Sequence, residues 1–182
     1  MTRLALAVLL GVAGAGGITT QEVDMLPDTM LGSRMYTLDE AQDERARLVA
    51  LASVKAVHHG LDEYIFLRMI QQESSWNPDA RNLSSGCLGL GQLNPRFYEE
   101  YTEAELLDPG TNLAVSAETL ARNLKTWGGS YFMALVTYNW GIGNVLNSRK
   151  EHGSKWIREL PDETTLYVYR ILPRARWGDW EE

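Results

Sequence analysis

Apolar residues in this 182-residue chain return at intervals of three and four, stretch after stretch, and nowhere in strict alternation, which points to a fold of packed helices. Ala46, Val49, Ala50, Val54 and Val57 form one such stripe behind Thr37 and Glu40, whose spacing suits a capping box, and Gly60 closes it. Leu61, Ile65, Phe66, Met69 and Ile70 form the next. It is predicted to end near Glu73, because Pro78 follows Trp76-Asn77 and cannot continue a helix. Asp108-Pro109 reads as an N-cap with a first-turn proline, ahead of Leu113, Ala117, Leu120 and Leu124 and the stop at Gly128-Gly129. Met133, Ala134, Val136 and Thr137 make a further apolar stretch, broken at Gly141-Ile142-Gly143, and a last helix is predicted from Asp162 to Leu172 before Pro173. Residues 79–96, rich in Asn, Ser and Gly, read as a long loop in which Gly86, Gly89 and Gly91 mark sharp turns or close approaches. The expected class is all-α, one domain with long loops and no internal repeat.

Length and charge narrow the functions open to such a domain. The chain can bury one real core and not two. A net charge of -7 argues against a non-specific grip on nucleic acid or anionic lipid. Cys87 is the single cysteine, so no internal disulfide forms, and it has no base partner in sequence, so it reads as a small filler. His58, His59 and His152 lack the spacing of metal ligands, so neither metal nor other cofactor is expected. At the N-terminus Arg3 precedes an apolar run from Leu4 to Ala15 that ends in Ala13-Gly14-Ala15, the pattern of an export signal. The run is shorter than the ~20 residues a membrane helix needs. Residues 1–17 are therefore read as a signal peptide, or as a retained apolar segment contacting a membrane or partner. Residues 18–36 are read as a linker or arm, 37–176 as the domain, and 177–182 as a tail.

Glu73 stands out chemically. Ile65, Met69 and Glu73 fall at i, i+4 and i+8, so a carboxylate continues an apolar helix stripe. Desolvation and the negative end of the helix dipole should both raise its pKa. A carboxylic acid that is neutral near pH 7 can protonate a leaving oxygen and later accept a proton. A half-buried glutamate satisfied by an N–H group or an arginine has the same pattern, so on this residue alone both readings stand.

Four ordered segments add to it. Gln72-Glu73-Ser74-Ser75-Trp76-Asn77-Pro78 resembles the E-S-x-x-x-P motif of the lytic transglycosylases related to goose-type lysozyme, glycoside hydrolase family 23. Gly86-Cys87-Leu88-Gly89-Leu90-Gly91-Gln92 resembles its G-x-x-G-L-M-Q loop, with Gly91 where methionine is usual. Thr137-Tyr138-Asn139-Trp140-Gly141-Ile142-Gly143-Asn144-Val145 resembles A-Y-N-A-G-x-G-x-V, with Thr137 and Trp140 in place of two alanines. Pro161, Glu163, Thr164, Tyr167, Val168 and Arg170 resemble the closing P-x-E-T-x-x-Y-V-x-R helix.

The resemblance covers about Gly60 to Leu172 and implies a lysozyme-like domain whose loops line a glycan-binding cleft. It implies cleavage of the bond between N-acetylmuramic acid and N-acetylglucosamine in peptidoglycan, with Glu73 as acid and base and a 1,6-anhydro sugar as product. Gln92, Tyr138, Asn139 and Trp140 would contact the glycan, the tyrosine holding either the glutamate or the acetamido group. Ser74 would orient the Glu73 region or cap local backbone, and Glu163 would support from behind or stand at a helix start. An amide satisfied by its own loop at Gln92, a core tyrosine at Tyr138 and a helix-capping asparagine at Asn139 are the plain alternatives. A hydrolytic muramidase on the same fold stays open, as does a non-catalytic glycan-binding or structural module of a phage particle or secretion machine. The expected location is the periplasm or cell envelope, with a phage virion as the other setting.

Overall fold

The computed structural model describes residues 38–172. The N-terminal segment, the whole of the arm, Thr37 of the expected capping box, the last residues of the expected domain and the tail lie outside the described residues. By its contacts the chain separates into two units, Met1–Arg47 and Leu48–Glu182, and the site lies in the second. Seven α-helices are described: α1 Leu38–His58, α2 Glu63–Ser74, α3 Glu103–Leu107, α4 Pro109–Thr126, α5 Tyr131–Trp140, α6 Ile142–His152 and α7 Asp162–Ile171, with 3-10 turns at Pro95–Phe97 and Gly153–Glu159. No strand occurs among the described residues, and the fold is all-α as expected.

Local chemistry sets the helix ends. Asp62 caps α2 through Oδ1, which accepts from the Ile65 amide at 3.2 Å. Asp108 caps α4 in the same way through Thr111 at 2.8 Å, with Pro109 in the first turn where its missing N–H has no partner to lose. Thr102 and Glu105 close a reciprocal capping box on α3.

α5 is apolar on nearly every side, burying Phe132, Ala134, Leu135, Val136 and Thr137, and such a helix belongs in the middle. It packs on α4, α6 and α7, while α2 packs on α7 and α3 on α4. The main core gathers Ile65, Phe66, Met69 and Ile70 from α2 with Leu113, Leu120, Leu135 and Ile171. Each such buried side chain contributes ~1.5–3 kcal/mol. A smaller second cluster, Leu88, Leu93, Leu106 and Val115, lies under the glycine loop, so the loop has a core of its own. Bridges from Arg81 to Leu88 and from Leu88 to Leu93 fold the loop back on itself.

Three helices depart from the sequence reading. α1 buries Leu48, Ala52 and Ala56, while Ala46, Ala50, Val54 and Val57 of the expected stripe are exposed, because alanine and valine recur on both faces of this helix and spacing alone does not choose between them. α3 is too short to show a period. α6 starts one residue after α5 because Gly141, at φ 88°, turns the chain without an irregular segment. Its buried residues are only Val145 and Ser148, so it left no apolar stripe to find. Behind it the Arg149 guanidinium lies between the rings of Trp127 and Trp156, at 5.3 and 5.8 Å, which makes these two tryptophans packing residues.

Candidate active site

α2 places Glu73, half-buried, in its last turn and then stops abruptly. Ser75, at φ 54° and ψ 30°, donates its amide to the Gln71 carbonyl, and Trp76 follows at φ 69°. Two successive left-handed residues reverse the chain, and the Trp76 indole turns into the main core, 7% exposed. The indole anchors the helix end and is not a sugar face. Ser74 donates its hydroxyl to the Ile70 carbonyl at 3.4 Å, within its own helix, which is the backbone-capping alternative rather than contact with Glu73.

The Glu73 carboxylate is enclosed by its neighbours, and burial is the largest effect on it. Desolvation raises its pKa from 4.5 to about 7; the hydrogen bond from Tyr167 opposes this rise and the negative charge of Glu163 adds to it. The Tyr167 hydroxyl donates to Glu73 Oε1 at 2.5 Å. Burial, followed by the charge of Glu73, pushes the Tyr167 phenol well above its ordinary range, so it stays protonated and remains a donor. Glu163 is exposed in the first turn of α7 and acts on Glu73 through its charge. The phenol that holds the glutamate is therefore Tyr167, and Tyr138 does not take that part. Tyr138 instead donates to the Gly91 carbonyl at 2.8 Å. Its hydroxyl is enclosed, and desolvation, then the charge of Glu73, keeps it protonated.

Asn139 does not cap its helix; the Gly141 amide does so on the Thr137 carbonyl. Asn139 Oδ1 accepts from Thr164 Oγ1 at 2.7 Å. One face of α7 thus reaches both neighbouring helix ends, Tyr167 to Glu73 on α2 and Thr164 to Asn139 on α5. Gln92 stands at φ 50°, and its amide nitrogen donates to the carbonyls of Gly89 at 2.9 Å and Ala80 at 3.4 Å. The loop therefore holds the amide in place through its nitrogen, as in the reading of an amide satisfied by its own loop. Trp140 is half-buried against the core at the end of α5. Cys87 is half-buried in the loop, less enclosed than a filler residue.

Three contributors carried no role in the sequence reading. Tyr167 was legible as a motif letter only. Thr164 and Asn112 are buried polar residues, 2% and 0% exposed. Asn112 had a signal, since Asn112 and Ser116 sit one turn apart beside the apolar stripe of α4, where solvated polar residues do not belong.

Comparison with known proteins follows the same outline. A family model described as Transglycosylase SLT domain matches residues 50–161, more than half of the chain. The matched span holds Glu73, Gln92, Tyr138, Asn139 and Trp140 and stops short of Glu163 and Tyr167. The chain is 29% identical to the membrane-bound lytic murein transglycosylase F of Histophilus somni (strain 2336), over 62% of this chain and 24% of that protein. The X-ray structure of an inactive mutant of the lytic transglycosylase Slt from Pseudomonas aeruginosa superposes with a TM-score of 0.58 at 28% identity, covering 67% of this chain and 22% of that one. The 70-kDa soluble lytic transglycosylase from Escherichia coli gives a TM-score of 0.55 at 18% identity, over 71% and 26% of the two chains, a likeness of fold. The chain thus spans about a quarter of the length of these relatives.

Proposed function

This chain belongs to the Transglycosylase SLT domain family, and from that membership we propose that it is a peptidoglycan lytic transglycosylase in which Glu73 serves as both acid and base. The observation that carries the proposal is the state of Glu73: a desolvated carboxyl with a pKa of about 7, held by a neutral phenol and ending an apolar helix face. Such a group gives up its proton much nearer neutral pH than an ordinary carboxyl and can work in both directions.

In the proposed cycle Glu73 protonates the oxygen bridging N-acetylmuramic acid to N-acetylglucosamine, and that bond breaks. The muramic acetamido oxygen stabilises the positive charge at C1. Glu73, now a carboxylate steadied by Tyr167, takes the proton of the muramic C6 hydroxyl as that oxygen attacks C1. The product is a 1,6-anhydro sugar, no water is consumed, and Glu73 ends protonated as it began. No second carboxylate is required, and Glu163, exposed and felt by Glu73 only as charge, fits a supporting part. The Gln92 oxygen, the Asn139 amide and the Trp140 edge would contact the glycan, with Tyr138 fixing the loop that carries Gln92. The substrate lies in the cell envelope. Export through segment 1–17 is the proposed route to it, in preference to carriage by a phage particle or secretion machine.

Digestion of purified peptidoglycan with the wild type and Glu73→Gln, read by mass spectrometry, tests this. Anhydromuramic ends from the wild type alone are expected. Reducing ends would make the protein a hydrolytic muramidase, and no release by either would leave a glycan-binding module.

A further inference from the structure

The glycine loop and α4 meet at a point the reaction above does not use. Asn112, wholly buried, accepts the Gly91 amide through Oδ1 at 2.7 Å and donates through Nδ2 to the carbonyls of Leu88 at 3.0 Å and Leu106 at 2.6 Å. The Gly91 carbonyl accepts the Tyr138 hydroxyl at 2.8 Å. Both polar groups of Gly91 are therefore held by side chains from two different helices, and the next residue is Gln92. Ser116 lies one turn beyond Asn112 on α4, buried, with its hydroxyl 3.5 Å from Asn112 Oδ1.

Position 91 has a glycine for a reason of space. A Cβ there would lie 1.9 Å from Ser116 Oγ, 2.8 Å from Ser116 Cβ and 3.0 Å from the Tyr138 hydroxyl. Rotating the serine hydroxyl relieves the first clash. It cannot relieve the second, because Cβ does not move with χ1. Ser116 thus occupies the room a side chain at 91 would need, and this accounts for the loop's departure from the usual methionine at that position.

We propose that Asn112 and Ser116 are positioning residues of the glycan cleft, and that Gly91 and Ser116 are a matched pair through which α4 sets the backbone of Gln92. The inference rests on the transglycosylase reading. It is tested with Gly91→Ala, Ser116→Gly, their combination and Asn112→Asp, measuring kcat and KM for release of soluble fragments from purified peptidoglycan at 25 °C beside thermal midpoints. Release by the wild type establishes the underlying reading first, and its absence would overturn that reading and this one together. Given release, kcat/KM of folded Gly91→Ala is expected to fall at least tenfold. The combined variant is expected to match Ser116→Gly rather than the product of the two losses. Asn112→Asp, which loses both donors, is expected to follow Gly91→Ala in kcat/KM.

A merely structural role would lower the midpoints and leave kcat and KM of the folded enzyme at wild-type values, which would overturn the proposal. If Gly91→Ala does not fold, recovery of folding and of Ser116→Gly activity in the combined variant supports the matched pair. Failure to recover either refutes it.

Discussion

Replacing Glu73 by glutamine should stabilise the protein, and by an amount that depends on pH. The Glu73 carboxyl has a pKa of about 7 in the folded chain against 4.5 for an unperturbed group. The folded value is the higher one. The fold therefore favours the protonated acid: full stability is present below about pH 4.5 and is lost as pH rises through about 7. Each unit of separation is worth about 1.4 kcal/mol, so the full penalty of keeping the carboxylate enclosed is about 3 kcal/mol. Glutamine carries no charge at any pH and still offers Oε1 to Tyr167. Glu73→Gln should therefore exceed the wild type by about 3 kcal/mol at pH 8 and by only about 1 kcal/mol at pH 5. For a chain of this length the pH 8 difference is a rise of about 6–12 °C in the thermal midpoint. Urea titrations of both proteins from pH 4 to 9, with equal m-values, measure the gap directly. Parallel stability curves, or a gap that widens toward acid, would refute an enclosed and raised carboxyl and take away the main support for Glu73 as the acid.

Other changes should move activity or stability in set directions. Because cleavage needs Glu73 protonated at the first step, wild-type kcat/KM should decline as pH passes about 7. Tyr167→Phe removes the bond that holds the carboxylate down, so this alkaline limb should move to higher pH; loss of a hydrogen bond to a charged group worth ~1.5 kcal/mol should also lower kcat roughly tenfold. Glu163→Gln removes a raising charge, so the limb should move the other way, and by less at 1 M salt than at 0.05 M, since the side chain is exposed. Arg149→Ala empties the space between Trp127 and Trp156 and should cost about 1 kcal/mol in urea without changing kcat.

The sequence spoke clearly wherever one physical cause dominated. The stripe ending at Glu73 is a period of burial, and the structure buries Ile65, Phe66, Met69 and Ile70 along it. The cap at Asp108 is a single hydrogen bond made within three residues. α6 was hidden because a helix that buries only Val145 and Ser148 has no stripe, and the glycines at its start read as a break. The partners inside the site were hidden for another reason. Tyr167 meets Glu73 across 94 residues, and Tyr138 meets Gly91 across 47. Nothing in local periodicity can say which of two tyrosines reaches the acid. That choice depends on how α5 and α7 lie against α2, and it fell to Tyr167, while Tyr138 went to the glycine loop. Gly91 was legible as a departure from a motif, and its cause only became visible once Ser116 was in place beside it.

What separates Glu73 from an ordinary buried glutamate is the kind of partner it has. A buried acid kept for structure is commonly paired with a cation, which favours the carboxylate and lowers the pKa. Arg68 lies five residues earlier on the same helix, but its guanidinium is committed elsewhere: Nε and Nη2 donate to the Arg170 carbonyl and Nη1 to the Tyr64 hydroxyl, with the Tyr64 ring beneath it at 5.4 Å. The Arg81–Glu103 ion pair and the contact of His152 with Glu151 do not involve Glu73. Its charged influence is instead another acid, Glu163, and its donor is a neutral phenol. A neutral donor orients the carboxyl in both protonation states, whereas a cation would hold it in one. The alternative that the spacing alone left standing, a glutamate satisfied by arginine, is therefore not what this fold builds, and the arrangement it does build suits a group that must give up a proton and take one back in the same cycle.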